Sequence, residues 1–102
     1  REVREECGLT VDRGRLACVD FRPPRRHKPG GLRFLFDCGP LPEEDLAAMV
    51  LQPTEISECR IESPPVALEL LRKPIRRRVR AALRPGGPHY LENGRPVPGV
   101  GP

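Results

Sequence analysis

The alternation of apolar and polar positions changes period several times along this 102-residue chain, and the changes locate its elements. Arg1 to Cys7 holds good helix formers with no breaker, and Gly8 stands where a left-handed residue ends a helix. The apolar run Leu16, Ala17, Cys18 and Val19 predicts a buried strand over Arg15 to Phe21, closed by Arg22, Pro23 and Pro24. Arg25-Arg26-His27-Lys28-Pro29-Gly30-Gly31 then forms a basic loop rich in breakers. Leu32 to Cys38 alternates and carries Phe34 and Phe36, which predicts a second strand, paired with the first, with both phenylalanines in the core.

Beyond Gly39-Pro40, the run Pro42-Glu43-Glu44-Asp45 puts proline and acids where a helix N-terminus favours them, ahead of Leu46, Met49 and Val50. Glu55 to Ile61 shows a mixed alternation that favours another strand. Pro64-Pro65 starts a helix through Val66, Leu68 and Leu71. Pro74 opens a second, in which Ile75, Val79 and Leu83 recur at i, i+4 and i+8 and pack on a core. Arg84-Pro85-Gly86-Gly87-Pro88 breaks structure, His89 to Glu92 can add a short strand, and Asn93-Gly94 is a turn. The expectation is one α/β domain over residues 1–92 with a Pro/Gly-rich flexible tail over 93–102.

Composition narrows this picture. Leu, Ile, Val and Phe make up 26 of the 102 residues, enough for a small core and above the roughly 20% below which charged chains stay disordered. Only Phe21, Phe34, Phe36 and Tyr90 are aromatic, so large core side chains are scarce. No stretch is long and apolar enough to read as a membrane span, and the expected compartment is the cytoplasm. Cys7, Cys18, Cys38 and Cys59 form no close pair of the kind that zinc or redox sites use, and they read as reduced thiols. A two-disulfide secreted module is the competing reading.

Three carboxylates crowd the first helix. At about 100° per residue, Glu2, Glu5 and Glu6 fall within an arc of about 100° and can converge on one point. Like charges at i,i+3 and i,i+4 repel, and acids near a helix C-terminus oppose its dipole; a divalent cation relieves both costs. Oxygen ligands of this kind suit Mg²⁺ or Mn²⁺, while Val3 and Cys7 supply an adjacent apolar face.

The nine residues Arg1-Glu2-Val3-Arg4-Glu5-Glu6-Cys7-Gly8-Leu9 resemble the second half of the Nudix box, whose pattern is Arg-Glu-apolar-any-Glu-Glu-any-Gly-apolar. Thr54 to Ile61 is similar to the acidic strand entry of bacterial members, and His89 to Gly94 looks like the ending of actinobacterial-type ones. The resemblance implies a Nudix-like mixed β-sheet sandwiched between helices, with the family's earlier strands falling before Arg1. It also implies hydrolysis of the pyrophosphate linkage in a nucleoside diphosphate joined to another group. Carried over by position, Glu5 and Glu6 would be the principal metal ligands, Glu2 a further ligand or the general base, and Arg1 a group that orients a neighbouring carboxylate. Some members draw the base from a distal loop, which makes Glu55 and then Glu58 alternatives to Glu2. The box's upstream glycine and glutamate would also lie before Arg1, so these 102 residues alone are expected to be inactive or nearly so. A Nudix-fold domain that binds nucleotides without hydrolysing them is an alternative.

The cations offer a reading from another class. Arg72, Lys73, Arg76, Arg77, Arg78 and Arg80 place six cations in nine residues, and Arg25, Arg26 and Lys28 form a second cluster. A small basic module could bind nucleic acid phosphates. Against that stand the apolar stripe of the same helix, the absence of interleaved aromatics and a net charge of only +4, so the run reads as a solvated outer face. Within the Nudix resemblance, Arg25 and Arg26 could contact an anionic substrate from their loop. His27 and His89 stand apart from each other and from any cysteine pair, and neither is assigned a role.

Overall fold

The computed structural model describes residues 13–44 and 61–100. Two compact units divide the chain, Arg1–Gly14 with Cys38–Ile61 and Arg15–Asp37 with Glu62–Pro102. In the first unit, Glu43 and Glu44 are helical behind Pro42, as the acidic run predicts, and Gly39 takes a φ of +77°. The helix expected over Arg1 to Cys7 and nearly all of the strand expected over Glu55 to Ile61 lie outside the described residues; Ile61 itself is irregular and exposed.

The second unit holds a mixed α/β arrangement. Strand β1 (Arg15–Arg22) pairs antiparallel with β2 (Gly31–Asp37), as expected, with an irregularity between Leu16 and Cys18. Helices α1 (Pro64–Leu70) and α2 (Lys73–Ala82) follow, each with proline in its first turn, where the missing N–H has no intrahelical acceptor to lose. Strand β3 (His89–Glu92) then returns parallel to β1, and β4 (Arg95–Pro96) turns back antiparallel on β3. The four-stranded order is β2-β1-β3-β4. A parallel neighbour for β1 requires a long connection, and the stretch from β2 through both helices provides it. The β3–β4 turn carries Asn93 at φ +54° and Gly94 at φ +76°, the positive-φ pair that a tight hairpin favours. The chain expected as a loose tail after Glu92 therefore stays paired through Pro96.

Register decides the two faces of this sheet. Directly opposed residues share a face, so Cys18 goes with Leu35 and Asp20 with Arg33, while Val19 goes with Phe34 and Phe21 with Leu32. Helix α2 covers the first set: Cys18, Ala81 and Leu91 form the buried cluster, with Leu35 and Ala82 against it. Phe34 and Phe36 belong to the other face and are 54% and 60% exposed, so the expectation that they form the core is wrong. The alternation was read correctly, but the residue that faces the helix is Leu35. On α2 the expected stripe of Ile75, Val79 and Leu83 is also rotated. Arg78 and Ala81 are its buried residues, and Leu83 is 57% exposed.

That rotation follows from one polar contact. Asp20 is fully buried on β1, and its Oδ2 accepts from Arg78 Nε at 2.9 Å while its Oδ1 accepts from the Gly94 backbone N–H at 2.8 Å. A buried carboxylate must be met by donors, so α2 turns Arg78 toward the sheet and the β3–β4 turn closes on β1. Asn93 N–H donates to Phe21 O at 2.9 Å beside it. The sequence reading placed Arg78 on a solvated outer face, and the structure corrects this. Arg76 is not simply solvated either: its guanidinium donates to Leu68 O, Glu69 O and Leu71 O, satisfying the carbonyl end of α1.

Cys18 and Cys38 are free thiols, consistent with the reduced reading; Cys7 and Cys59 lie outside the described residues. Burial raises the Cys18 thiol pKa, the nearby Asp20 carboxylate adds to the rise, and Arg78 opposes it. The folded thiol thus holds its proton more tightly than the unfolded one. Its contribution to stability is complete below about pH 8.5 and is lost as pH climbs through the raised value.

Two outcomes follow from this packing. Asp20→Ala leaves Arg78 as an uncompensated buried charge and is expected to lower stability by about 3–5 kcal/mol, read from urea unfolding by far-UV circular dichroism. The double change Asp20→Leu/Arg78→Met is expected to recover most of that loss. Under native conditions at pH 8, alkylation mapped by mass spectrometry is expected to modify partly exposed Cys38 at least about tenfold faster than Cys18.

Candidate anion-binding cleft

The N-terminal part of α2 as far as Arg78, the last residue of β1, Arg33 of β2 and the β1–β2 loop enclose a cleft of about 450 Å³. Among the described residues six of its lining side chains are cationic, Arg22, Arg25, Lys28, Arg33, Arg72 and Arg78, and none is acidic. Each is placed by a local reason. Arg22 ends β1 and shares the face of Asp20, because residues two apart on a strand project alike. Arg33 stands opposite Asp20 across the β1–β2 ladder. Arg72 caps α2 just before Pro74, and Arg78 follows about one and a half turns later.

Loop geometry sets the remaining two. Arg25 and Lys28 exchange backbone hydrogen bonds in both directions at 2.9 Å, which makes Arg26-His27 a two-residue turn with His27 at φ +68°. This small hairpin holds Arg25 and Lys28 beside the cleft and leaves Arg26 exposed at the turn, outside the lining. Of the pair expected to meet an anion, Arg25 is in position and Arg26 is not. Gly30 lets the loop fold back on itself. A Cβ there would collide with Arg22 O and would lie 2.7 Å from Pro24 N and 2.9 Å from Pro23 C, all rigid backbone atoms.

Charge accumulates in the cleft because little opposes it. Arg78 gives its Nε to Asp20 and makes no other hydrogen bond among the described residues, which leaves the rest of its planar fork for an entering group. Arg22, Arg25, Lys28 and Arg72 make no side-chain ion pair among the described residues. An adjoining cleft of about 360 Å³ shares Arg22, Arg25 and Pro74 and adds Arg77, Arg95 and one acid, Glu92. Glu92 Oε2 accepts from Tyr90 Oη at 3.0 Å, and that bond is the main cause of the raised Tyr90 pKa.

Sequence reasoning named Arg25, Lys28, Arg72 and Arg78 as members of two charge clusters but did not join them, and it missed Arg22 and Arg33. The available signal was Asp20 alone in the middle of an apolar strand, since a buried acid predicts a cation nearby. Arg1, Glu2, Glu5, Glu6, Glu55 and Glu58 all lie outside the described residues, so the structure does not bring them together or separate them. Among the described residues no three His, Cys, Asp or Glu side chains are grouped to hold a metal ion, and no helix is long and apolar enough to cross a membrane. No family model, curated protein or solved structure matches the chain.

The chemistry available here is recognition of an anion by convergent, charge-assisted donors in a concave site. Gly30→Ala tests how far that site depends on its loop. The added methyl has only backbone to displace, so a stability loss of about 1–3 kcal/mol is expected in urea unfolding. In ¹H–¹⁵N spectra the largest shifts are expected at Arg25 and Lys28.

Proposed function

We propose that this chain carries the second half of a Nudix box and belongs to a hydrolase that cleaves the pyrophosphate linkage of a nucleoside diphosphate joined to another group. The observation that carries this reading is the unbroken match of Arg1 to Leu9 to that half of the box. A mixed sheet with a helix packed on one face is compatible with it at the level of α/β architecture. The finer expectation, a sheet sandwiched between helices in the Nudix manner, belongs to the same proposal.

In this reading Glu5 and Glu6, with Glu2, hold Mg²⁺ or Mn²⁺. A set of carboxylate oxygens is the donor set that hard divalent cations select, and such an ion, when bound, neutralises charge on a pyrophosphate. Glu2 takes the proton of the attacking water, with Glu55 and then Glu58 as the distal alternatives. Arg1 donates to a neighbouring carboxylate and fixes its orientation. Arg25, in the cationic cleft, is the one substrate-contact candidate that stands in an anion-attracting position.

Mn²⁺ binding, followed by electron paramagnetic resonance, tests the core of this reading. The chain is expected to bind Mn²⁺, and Glu5→Gln/Glu6→Gln to weaken binding at least about tenfold, because affinity at oxygen sites follows ligand charge. Glu43→Gln/Glu44→Gln removes the same charge elsewhere and should leave affinity unchanged. Equal losses in the two variants, or none in either, would count against the proposal.

A further inference from the structure

We infer that the cleft between α2 and the β1–β2 loop is a metal-independent binding site for a chain of phosphates. The inference uses none of Glu2, Glu5 or Glu6 and shares with the hydrolase reading only Arg25, its substrate-contact candidate.

Three observations on the cleft converge on this ligand class. The first is charge density: Arg22, Arg25, Lys28, Arg33 and Arg72 surround about 450 Å³ with no carboxylate in the lining among the described residues. Cations held this close repel one another, and an anion carrying several charges relieves that repulsion. The second is the floor. Arg78 is a guanidinium whose side chain is only 9% exposed and whose Nε is fixed by Asp20, so its orientation is set before any ligand arrives. A preoriented fork gives up little freedom when it meets a phosphate oxygen. The third is the dipole of α2: Arg72 and Pro74, at its N-terminal end, line the same cleft, and that end favours negative charge.

The lining also says what part of a ligand is recognised. Among the described residues it contains no aromatic side chain that would stack a base, and its apolar members are Pro23, Pro29, Pro74 and Ile75. The donors come from a strand end, a loop, a neighbouring strand and a helix, and they enclose a concavity where extended nucleic acid backbone would need a long groove. A compact phosphate chain fits, whether it is free or attached to a nucleoside. Orthophosphate offers too few charges to engage the donors on all sides at once.

Isothermal titration of the 102-residue chain in EDTA, with tripolyphosphate, ATP and orthophosphate as probes, tests this. Tripolyphosphate and ATP are expected to bind with affinities within about threefold of each other, and orthophosphate at least about tenfold more weakly, because contact is through phosphate alone. Arg25→Gln/Lys28→Gln/Arg72→Gln removes three exposed cleft cations and is expected to weaken tripolyphosphate at least about a hundredfold. Arg15→Gln/Arg80→Gln/Arg84→Gln removes the same charge outside the cleft and should cost less than about threefold, the residual of long-range screening. Circular dichroism of both variants checks that they fold alike.

Equal losses in the two triple variants would overturn the site in favour of diffuse attraction to a basic protein. Absence of tripolyphosphate binding would overturn it outright. ATP binding tenfold tighter than tripolyphosphate, or a single-stranded oligonucleotide displacing tripolyphosphate at equal phosphate concentration, would overturn the assignment to a compact phosphate chain. Chelation separates this result from the hydrolase proposal: binding that survives EDTA reports the cleft, whereas Mn²⁺ binding lost in Glu5→Gln/Glu6→Gln reports the acidic helix.

Discussion

The described sheet and helix are organised by a carboxylate that has lost its water. Asp20 has no exposed surface, and its two oxygens are met by separate donors far along the chain, Arg78 of α2 and the backbone of Gly94. Its Oδ2 sets the rotation of α2 and its Oδ1 docks the β3–β4 turn, so one side chain ties together three elements that sequence separates widely. Hydrophobic burial alone would constrain them weakly, because the buried apolar residues among the described ones are few: Ala17, Cys18, Ala81 and Leu91. Apolar contact tolerates small rotations and slips, whereas a buried ion is met by its donors or is heavily penalised. Gly94 is part of the same device, since its φ of +76° is the left-handed value that presents its N–H to Asp20, and a Cβ there would press on Arg77 at 3.0 Å.

A run of arginines that looks uniform in sequence is divided by the fold into separate tasks. Arg76 meets three carbonyls at the end of α1, a cation against the negative pole of a helix. Arg78 balances Asp20, and Arg72 faces the cleft. The division follows from helical geometry: at about 100° per residue, side chains two apart point in widely different directions. The cleft then collects cations whose neighbours do not neutralise them. No acid among the described residues lines it, and Asp20, behind its floor, is engaged by Arg78 and Gly94.

Much of the element order was legible. Proline pairs and glycines bound β1 and β2, the alternation of Leu32 to Cys38 identified a strand, Pro64 and Pro74 opened helices, and Asn93-Gly94 marked a turn. Each depends on local backbone chemistry. The side on which each element meets its neighbour was not legible. Period two says that Phe34 and Phe36 share a face and Leu35 takes the other, yet it does not say which face α2 will cover. The apolar stripe of α2 pointed to Leu83, while the actual packing uses Arg78 and Ala81, because the demand of Asp20 outweighs the hydrophobic preference of one exposed leucine.

The candidate sites divide in the same way. The acidic pattern of Glu2, Glu5 and Glu6 is a statement about nine neighbouring residues of the sequence. The cationic cleft joins positions as distant as Arg22 and Arg78, and no local rule relates them. By itself the sequence determined where the described chain turns and which of its segments extend or coil, because those properties arise from φ restrictions and local side-chain spacing. Only the tertiary structure decided that Arg78 leaves the surface, that Phe34 stays on it, and that six cations line one cleft, because burial of a charge is settled by contacts between elements that the chain itself keeps apart.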